Sequence, residues 1–395
     1  RRILWISGQS LYFFTKIQAN PTILIEPHQS RKEDTAWAVC FDFGVVPSMR
    51  YRIIFVFLLG LLPAHLLWAA PAQQAFADWQ VTCNNQNFCV ARNTGDHHGL
   101  VMTLSRSAGA HTDAVLRIEL GGMDSPDVKE ADIAPRLLLD GAPLPLAGEH
   151  WRLTPWHLMT DDPATIATFL QAVQDAKAIT LQKGTQTLSL SGLKAALLFI
   201  DAQQKRVGSE TAWIEKGDEP PLSVPPAPAL KGVAVVNSTP TPLTQQERNE
   251  LLDYGNWRIN GIRCSLDPMR REMRVFALTD DKALLMIGCE AGAYNTIDLA
   301  WTVSRTTPFT SRAVRLSLPF KTDADSTDME LTNATFDEKS RELVTLAKGR
   351  GLSDCGIQTR WRFDGQRFRL VRYAQEPSCD NWHGPDAWPT LWITR

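Results

Sequence analysis

Of the seven cysteines in this 395-residue chain, Cys40 falls in the stretch before the expected mature start, and the other six carry the most specific chemistry: Cys83, Cys89, Cys264, Cys289, Cys355 and Cys379. An even number in an exported chain points to disulfides. Six cysteines can pair in many ways, and their spacing favours three local pairs: Cys83–Cys89, Cys264–Cys289 and Cys355–Cys379. The loops so closed span 7, 26 and 25 residues. A zinc site is the alternative, but neither a C-x-x-C pair nor histidines at ligand spacing support it. The missing C-x-x-C also argues against thiol redox chemistry. Gly351-Leu352-Ser353-Asp354-Cys355 approaches the serine-hydrolase elbow G-x-S-x-G. Cys355 stands where that strained turn needs a small residue. Asp96-His97-His98 offers two metal-ligand types and no third. His150 and His157 flank Trp151 and Trp156, a pattern of core packing or surface more than of a pocket. Trp382, Trp388 and Trp392, with His383 and Pro389, form either an aromatic platform for a glycan or peptide or the filling of a buried terminal strand. No P-loop or dinucleotide fingerprint occurs. No catalytic residue, metal site or cofactor is therefore assigned.

Four arginines form a second kind of candidate. Asp364-Gly365 reads as a two-residue turn between strands Gln358–Phe363 and Gln366–Tyr373. In that register Trp361 faces Phe368, both inward. Arg362 faces Arg367 and Arg360 faces Arg369 on the other side. Like charges opposed across strands are destabilising. Arg360, Arg362, Arg367 and Arg369 therefore call for anionic neighbours, either carboxylates of this chain or an anionic partner gripped by guanidinium forks.

What must position these residues starts with a leader. Met49, Arg50 and Arg52 open a charged start, Ile53–Leu62 form an apolar run, and Ala70-Pro71-Ala72 is a small-x-small cleavage pattern. The run is short of a membrane span and is broken by Pro63 and His65. Residues 49–72 thus read as a signal peptide, with the exported protein expected to begin at Gln73 in the periplasm. N-terminal sequencing of periplasmic material checks this, and peptides from residues 1–48 there would refute it. Residues 1–48 read as upstream sequence outside the native protein, or as a disordered extension. From Gln73 onward there are 34 basic and 39 acidic residues, a net charge of −5. That is an ordinary surface balance and no signature of a nucleic-acid binder. No stable membrane span is expected in the mature chain.

Residues 217–243 hold seven prolines and read as a semi-rigid linker between domains at 73–216 and 244–395. The first domain alternates like a sheet over Trp79–Thr82, Phe88–Ala91, Leu100–Arg106 and Ala114–Leu120. Two helices follow, one capped by Asp162 with Pro163 in its first turn, one capped by Ser191 and ending before Gly208. The second opens with a capping box, Thr244–Glu247, on a short helix to Asp253, and is then mostly strand. Phe76–Gln80 before Cys83 and Tyr254–Arg258 before Cys264 share an order of aromatic, small, Asp/Asn, Trp and polar. This echo reads as a duplication or as two buried Trp strands beside disulfides. The expected fold is α+β, mostly β: a β-sandwich-like domain with two helices, then a β-meander or barrel-like domain.

Asp78–Cys83, Cys89 and Leu190-Ser191-Gly192 resemble the invasion-associated locus B proteins. Gly192–Gly208, Cys289–Asn295, Asn333–Asp337, Lys348–Gly356 and Trp361–Phe368 resemble the exported bacterial DUF1176 family across nearly all of 76–395. Ser353 stands where that family would carry Gly. The resemblance implies export and no particular activity. The favoured expectation is a non-enzymatic envelope module that binds a protein or an anionic polymer. The rivals are a purely structural role and a hydrolase of an envelope polymer, with Glu149, His150 and Asp162 in a cleft between domains.

Overall fold

The computed structural model describes residues 70–95, 99–111, 113–121, 132–147, 150–234, 236, 238–322 and 326–395. Residues 49–69 of the expected signal peptide, Asp96-His97-His98 and Glu149 lie outside them. The described residues fall within one compact unit.

Alternating apolar residues build the first sheet. β1 (Ala72–Phe76), β2 (Trp79–Cys83), β3 (Cys89–Asn93), β4 (Leu100–Arg106) and β5 (Ala114–Leu120) form an antiparallel meander. β6 (Leu137–Leu139) and β7 (Ala142–Pro143) leave it through the turn at Asp140-Gly141, where both residues have positive φ as a tight hairpin requires. β8 (Arg152–Leu153) and β9 (His157–Thr160) return, giving the order β1-β2-β3-β4-β5-β9-β8. α1 (Pro163–Val173) follows, its first turn closed by Asp162, which accepts from the Thr165 N–H at 2.8 Å. β10 (Ala178–Leu181) and β11 (Thr187–Ser189) complete a small sheet with β6 and β7. α2 (Leu193–Gln203) packs on β1–β3. Trp79, Val81, Met102, Leu104, Leu116 and Ile118 point from the large sheet into one core with α1, α2 and the small sheet.

The cap of α2 differs from expectation. Gly192, not Ser191, is the N-cap, at φ +93°. A Cβ there would collide with the Phe76 carbonyl, so only glycine lets the helix start against β1. At the other end Lys205 takes the left-handed position, and Gly208 lies beyond it.

The second half stacks three layers. α3 (Gln245–Ile259) lies over β12 (Met273–Ala277), β13 (Lys282–Ala291) and β14 (Thr296–Ser304). β15 (Ser311–Ala313) borders that sheet, β16 (Leu316–Ser317) pairs with β17 (Asp328–Met329), and β18 (Leu331–Thr332) pairs with β14. The third layer runs β19 (Thr335–Asp337), β20 (Glu342–Lys348), β21 (Gly356–Phe363), β22 (Phe368–Glu376), β23 (Thr390–Ile393). Along β13, Ala283, Leu285 and Ile287 face α3, while Leu284 and Met286 face the third layer. Burial on both faces explains the unbroken apolar run of β13. The two sheets remain open, so the barrel-like form expected from the meander does not occur.

α3 runs six residues past the expected end at Asp253. Leu251, Gly255 and Ile259 repeat at i, i+4, i+8 toward β13, and Gly255 lets the helix approach Leu285 and Met273. The echo between Phe76–Gln80 and Tyr254–Arg258 is therefore not structural. The first spans a β-turn, while the second is helical and leaves Trp257 64% exposed. The capping box is present, and Glu247 also takes a forked bond from Arg305, at 3.0 and 3.1 Å. Arg305, with the Thr244 N–H, holds the Glu247 carboxyl down to about 2, against 4.5 ordinarily. Stability from a depressed carboxyl is fully present above its unfolded pKa and is lost as pH falls through the folded one. Glu247→Gln is thus expected to flatten the loss of stability between pH 4.5 and about 2. Urea titrations at both ends of that window check it, and an unchanged acid slope would refute it.

The linker is not a free spacer. The Gln86 amide donates to Pro228 O, and residues 231–233 pair with Arg395 through Arg395 N–H to Lys231 O at 2.9 Å and Val233 N–H to Arg395 O at 3.3 Å. The β2–β3 tip docks on β23: Asn85 N–H donates to Leu391 O, and the Asn85 side chain bonds both the N–H and the C=O of Ile393.

Candidate anion-binding cleft

The cleft is built where the two sheets of the second half fail to close. β15 and the β15–β16 connection form one wall, the β21–β22 turn and the start of β22 the other, and linker residues 231–234 the end. The space is about 1100 Å³. Lys231, Arg312, Arg315, Arg367 and Arg369 line it against two carboxylates, Asp328 and Asp364. Asp364 is already engaged, accepting from Arg369 Nε at 2.7 Å and from the N–H groups of Gln366 and Arg367. Although burial opposes it, those bonds hold the Asp364 carboxyl below its ordinary range. The guanidiniums of Arg312, Arg315 and Arg367 are exposed and have no carboxylate partner among the described residues. A second hollow of about 320 Å³ continues the cleft and shares Thr302, Arg312 and Gln366 with it. Local positive charge in a concave site attracts an anion.

The sequence placed two of these side chains, Arg367 and Arg369, on the anionic face, but its hairpin register needs correction. Phe363 pairs with Phe368, Arg362 with Arg369 and Trp361 with Leu370, and a bulge sets Arg360 opposite Arg372. The turn is four residues, 364–367, because the Asp364 carboxylate caps the N–H groups of Gln366 and Arg367. The shift is two residues, so Trp361 and Phe368 remain inward in the core. The like charges are answered within the chain. Glu342 on β20 lies beside Arg362 and binds it at 2.8 Å and Arg360 at 3.7 Å. Arg360 also reaches Asp386 at 3.5 Å. Among the described residues, Arg367 is the one of the four predicted arginines without such a partner, so the flat face is satisfied internally and the open charge sits in the cleft. Arg312 and Arg315 were missed. Arg312 lies in the three-residue β15 and Arg315 just after it, with no hairpin signal, and only the fold brings them beside Arg367.

The other candidates are accounted for structurally. Cys83–Cys89, Cys264–Cys289 and Cys355–Cys379 form disulfides. Asp162 caps α1, and hydrogen bonds from the Thr165 hydroxyl and N–H hold its carboxyl below the ordinary value. His150 is exposed. Cys355 is bonded to Cys379, and Asp354 pairs with Arg350 at 2.5 Å, so Gly351–Cys355 is a stapled turn. The tryptophan group splits. Trp392 stacks on Phe320 in the core, while Trp382 and Trp388 lie with His383 and Pro389 against the first sheet. No helix among the described residues is long and apolar enough to cross a membrane.

Fold and site together define an α+β, mostly β protein with three disulfides and a basic cleft. The chain belongs to the family described as protein of unknown function DUF1176, which it matches over residues 73–395. It is 78% identical over 347 residues to the uncharacterized protein YpfG of Escherichia coli strain K12, covering 88% of this chain and 100% of that protein. No solved structure matches it.

Proposed function

We propose that the protein is an exported envelope module that binds an anionic polymer through the cleft lined by Arg312, Arg315 and Arg367. The carrying observation is that these three arginines line one hollow and have no carboxylate partner among the described residues. Arginine forks suit carboxylate or phosphate groups repeated along a chain. Three disulfides suit an oxidising compartment such as the periplasm. Export by the leader at 49–72 is part of this reading. The E. coli relative is matched over its whole length by 347 residues of this chain. The first half is read as built like the invasion-associated locus B proteins. Two of the stretches carrying that likeness meet in space, where the Asp78 N–H donates to Ser191 O at 3.2 Å.

Retention of the full exported chain on immobilised polygalacturonate and on polyphosphate tests the cleft. Binding is expected to weaken as salt rises, because exposed charges are screened. Arg312→Glu, Arg315→Glu and Arg367→Glu together are expected to weaken it by about tenfold or more. The melting temperature should hardly move, since these side chains support no internal pair. Undiminished binding by the triple variant would reject the cleft.

A further inference from the structure

The outer face of the seven-stranded sheet is crossed by residues 376–389, and a groove of about 370 Å³ remains between them. Its floor comes from residues alternating with the core: Gln80 on β2, Thr103 and Ser105 on β4, Arg117 and Glu119 on β5, and Met159 on β9. Its roof is Trp382, His383 and Trp388. The roof is held in place from several sides. Cys379 is bonded to Cys355, Asp354 accepts from the Asn381 N–H at 2.7 Å, and Trp388 Nε1 donates to His383 O at 3.1 Å. Arg92 on the floor binds Glu376 at 2.9 Å and Asp380 at 2.7 Å. Burial pushes the Glu376 carboxyl up, against the opposing charge of Arg92. A concave site between two packed elements, of this size and with a few placed polar groups, is the usual form of a small-molecule site.

Three features select the occupant. First, the charges balance: Arg92 and Arg117 stand with Glu376 and Glu119, unlike the basic excess of the cleft. Second, the Thr103 and Ser105 hydroxyls have no hydrogen-bond partner among the described residues, and the Gln80 amide makes only a 3.4 Å bond to Val81 O. A hydrocarbon chain would bury these groups unsatisfied. Third, Val90, Val115, Met159 and the two indoles give an apolar wall. A neutral ligand with an apolar face and an edge of groups that both donate and accept meets all three conditions. We propose that this groove binds a short neutral saccharide, with ring C–H faces against the indoles and Met159 and hydroxyls on Thr103, Ser105 and Gln80. Arg117 and Glu119, 3.4 Å apart, close one end beside His383, which is 3.9 Å from Glu119.

The full chain with its disulfides intact is titrated with cellobiose, N,N′-diacetylchitobiose and decanoate, followed by calorimetry and tryptophan fluorescence. At least one disaccharide is expected to bind saturably in the millimolar range or tighter. Thr103→Val with Ser105→Ala should weaken it by about tenfold or more. Arg312→Glu with Arg315→Glu should leave it unchanged, which separates this site from the cleft. Val115→Trp fills the groove from an exposed floor position and serves if the double variant does not fold. Saturation by decanoate alone, no saturable binding of either disaccharide, or full affinity in a folded floor variant would overturn the assignment.

Discussion

Asp201→Ala is expected to destabilise the protein by about 3–5 kcal/mol, the cost of leaving a buried charge without its partner. Asp201 is fully buried at the C-terminal end of α2. It accepts from Arg106 at 2.6 Å and from the N–H groups of Trp213 and Ile214 at 2.9 Å. Arg106 lies 3.6 Å over the Trp213 ring and is 1% exposed at its side chain. Arg206, equally buried, is satisfied by the carbonyls of Ser107, Gly109 and His111. Gln204 ties the two, accepting from both guanidiniums and donating to Asn87 O and Arg106 O. Burial, with Asp201 opposing and the Arg206 charge adding to it, lowers the pKa of Arg106 to about 10. Removing Asp201 leaves two positive charges in one dry pocket and two orphaned N–H groups. Asp201→Asn keeps part of the hydrogen bonding and should fall between. Urea midpoints report the order, and a loss below about 1 kcal/mol for alanine would show that the carboxylate does not hold this cluster.

Cys264→Ser with Cys289→Ser is expected to cost about 3.5 kcal/mol on the chain-entropy model, whereas Cys83→Ser with Cys89→Ser should cost about 2.4. The first bond closes a loop with a sequence separation of 25 and fastens the segment after α3 to β13, where Leu266 N–H also meets Cys289 O. The second has a separation of 6 and joins partners that β2–β3 pairing already sets opposite each other. Cys355–Cys379, separation 24, should resemble the first and would also loosen the groove roof. Chemical unfolding of the three serine pairs gives the ranking. A larger loss at Cys83–Cys89 than at Cys264–Cys289 would reject it.

Features whose cause lies within a few residues could be read directly from the sequence. Asp162 and Pro163 start α1, and Thr244 and Glu247 start α3. Alternation from Leu100 to Leu120 and the local cysteine pairs belong here too. Short strands such as β8 and β17–β19 were missed because two or three residues give no period. The hairpin after Phe363 was misread by two residues because the Asp364 side chain competes with the backbone for the turn N–H groups.

The sequence alone determined the β-rich class, the starts of α1 and α3 and the fact that arginines opposed on β21 and β22 needed negative neighbours, and its spacing favoured the three cysteine pairs that form. Only the tertiary structure decided which neighbours. Glu342 arrives from β20 to satisfy Arg360 and Arg362, and Asp201 reaches Arg106 across 95 positions. Arg312 and Arg315 are left open beside Arg367 because two sheets stop short of closure, and the groove exists because residues 376–389 return over the first sheet. The physical reason is range. Caps, turns and alternation act over one turn or one pleat, whereas a charge takes its partner from whatever the folded chain brings within a few ångströms, however distant in sequence.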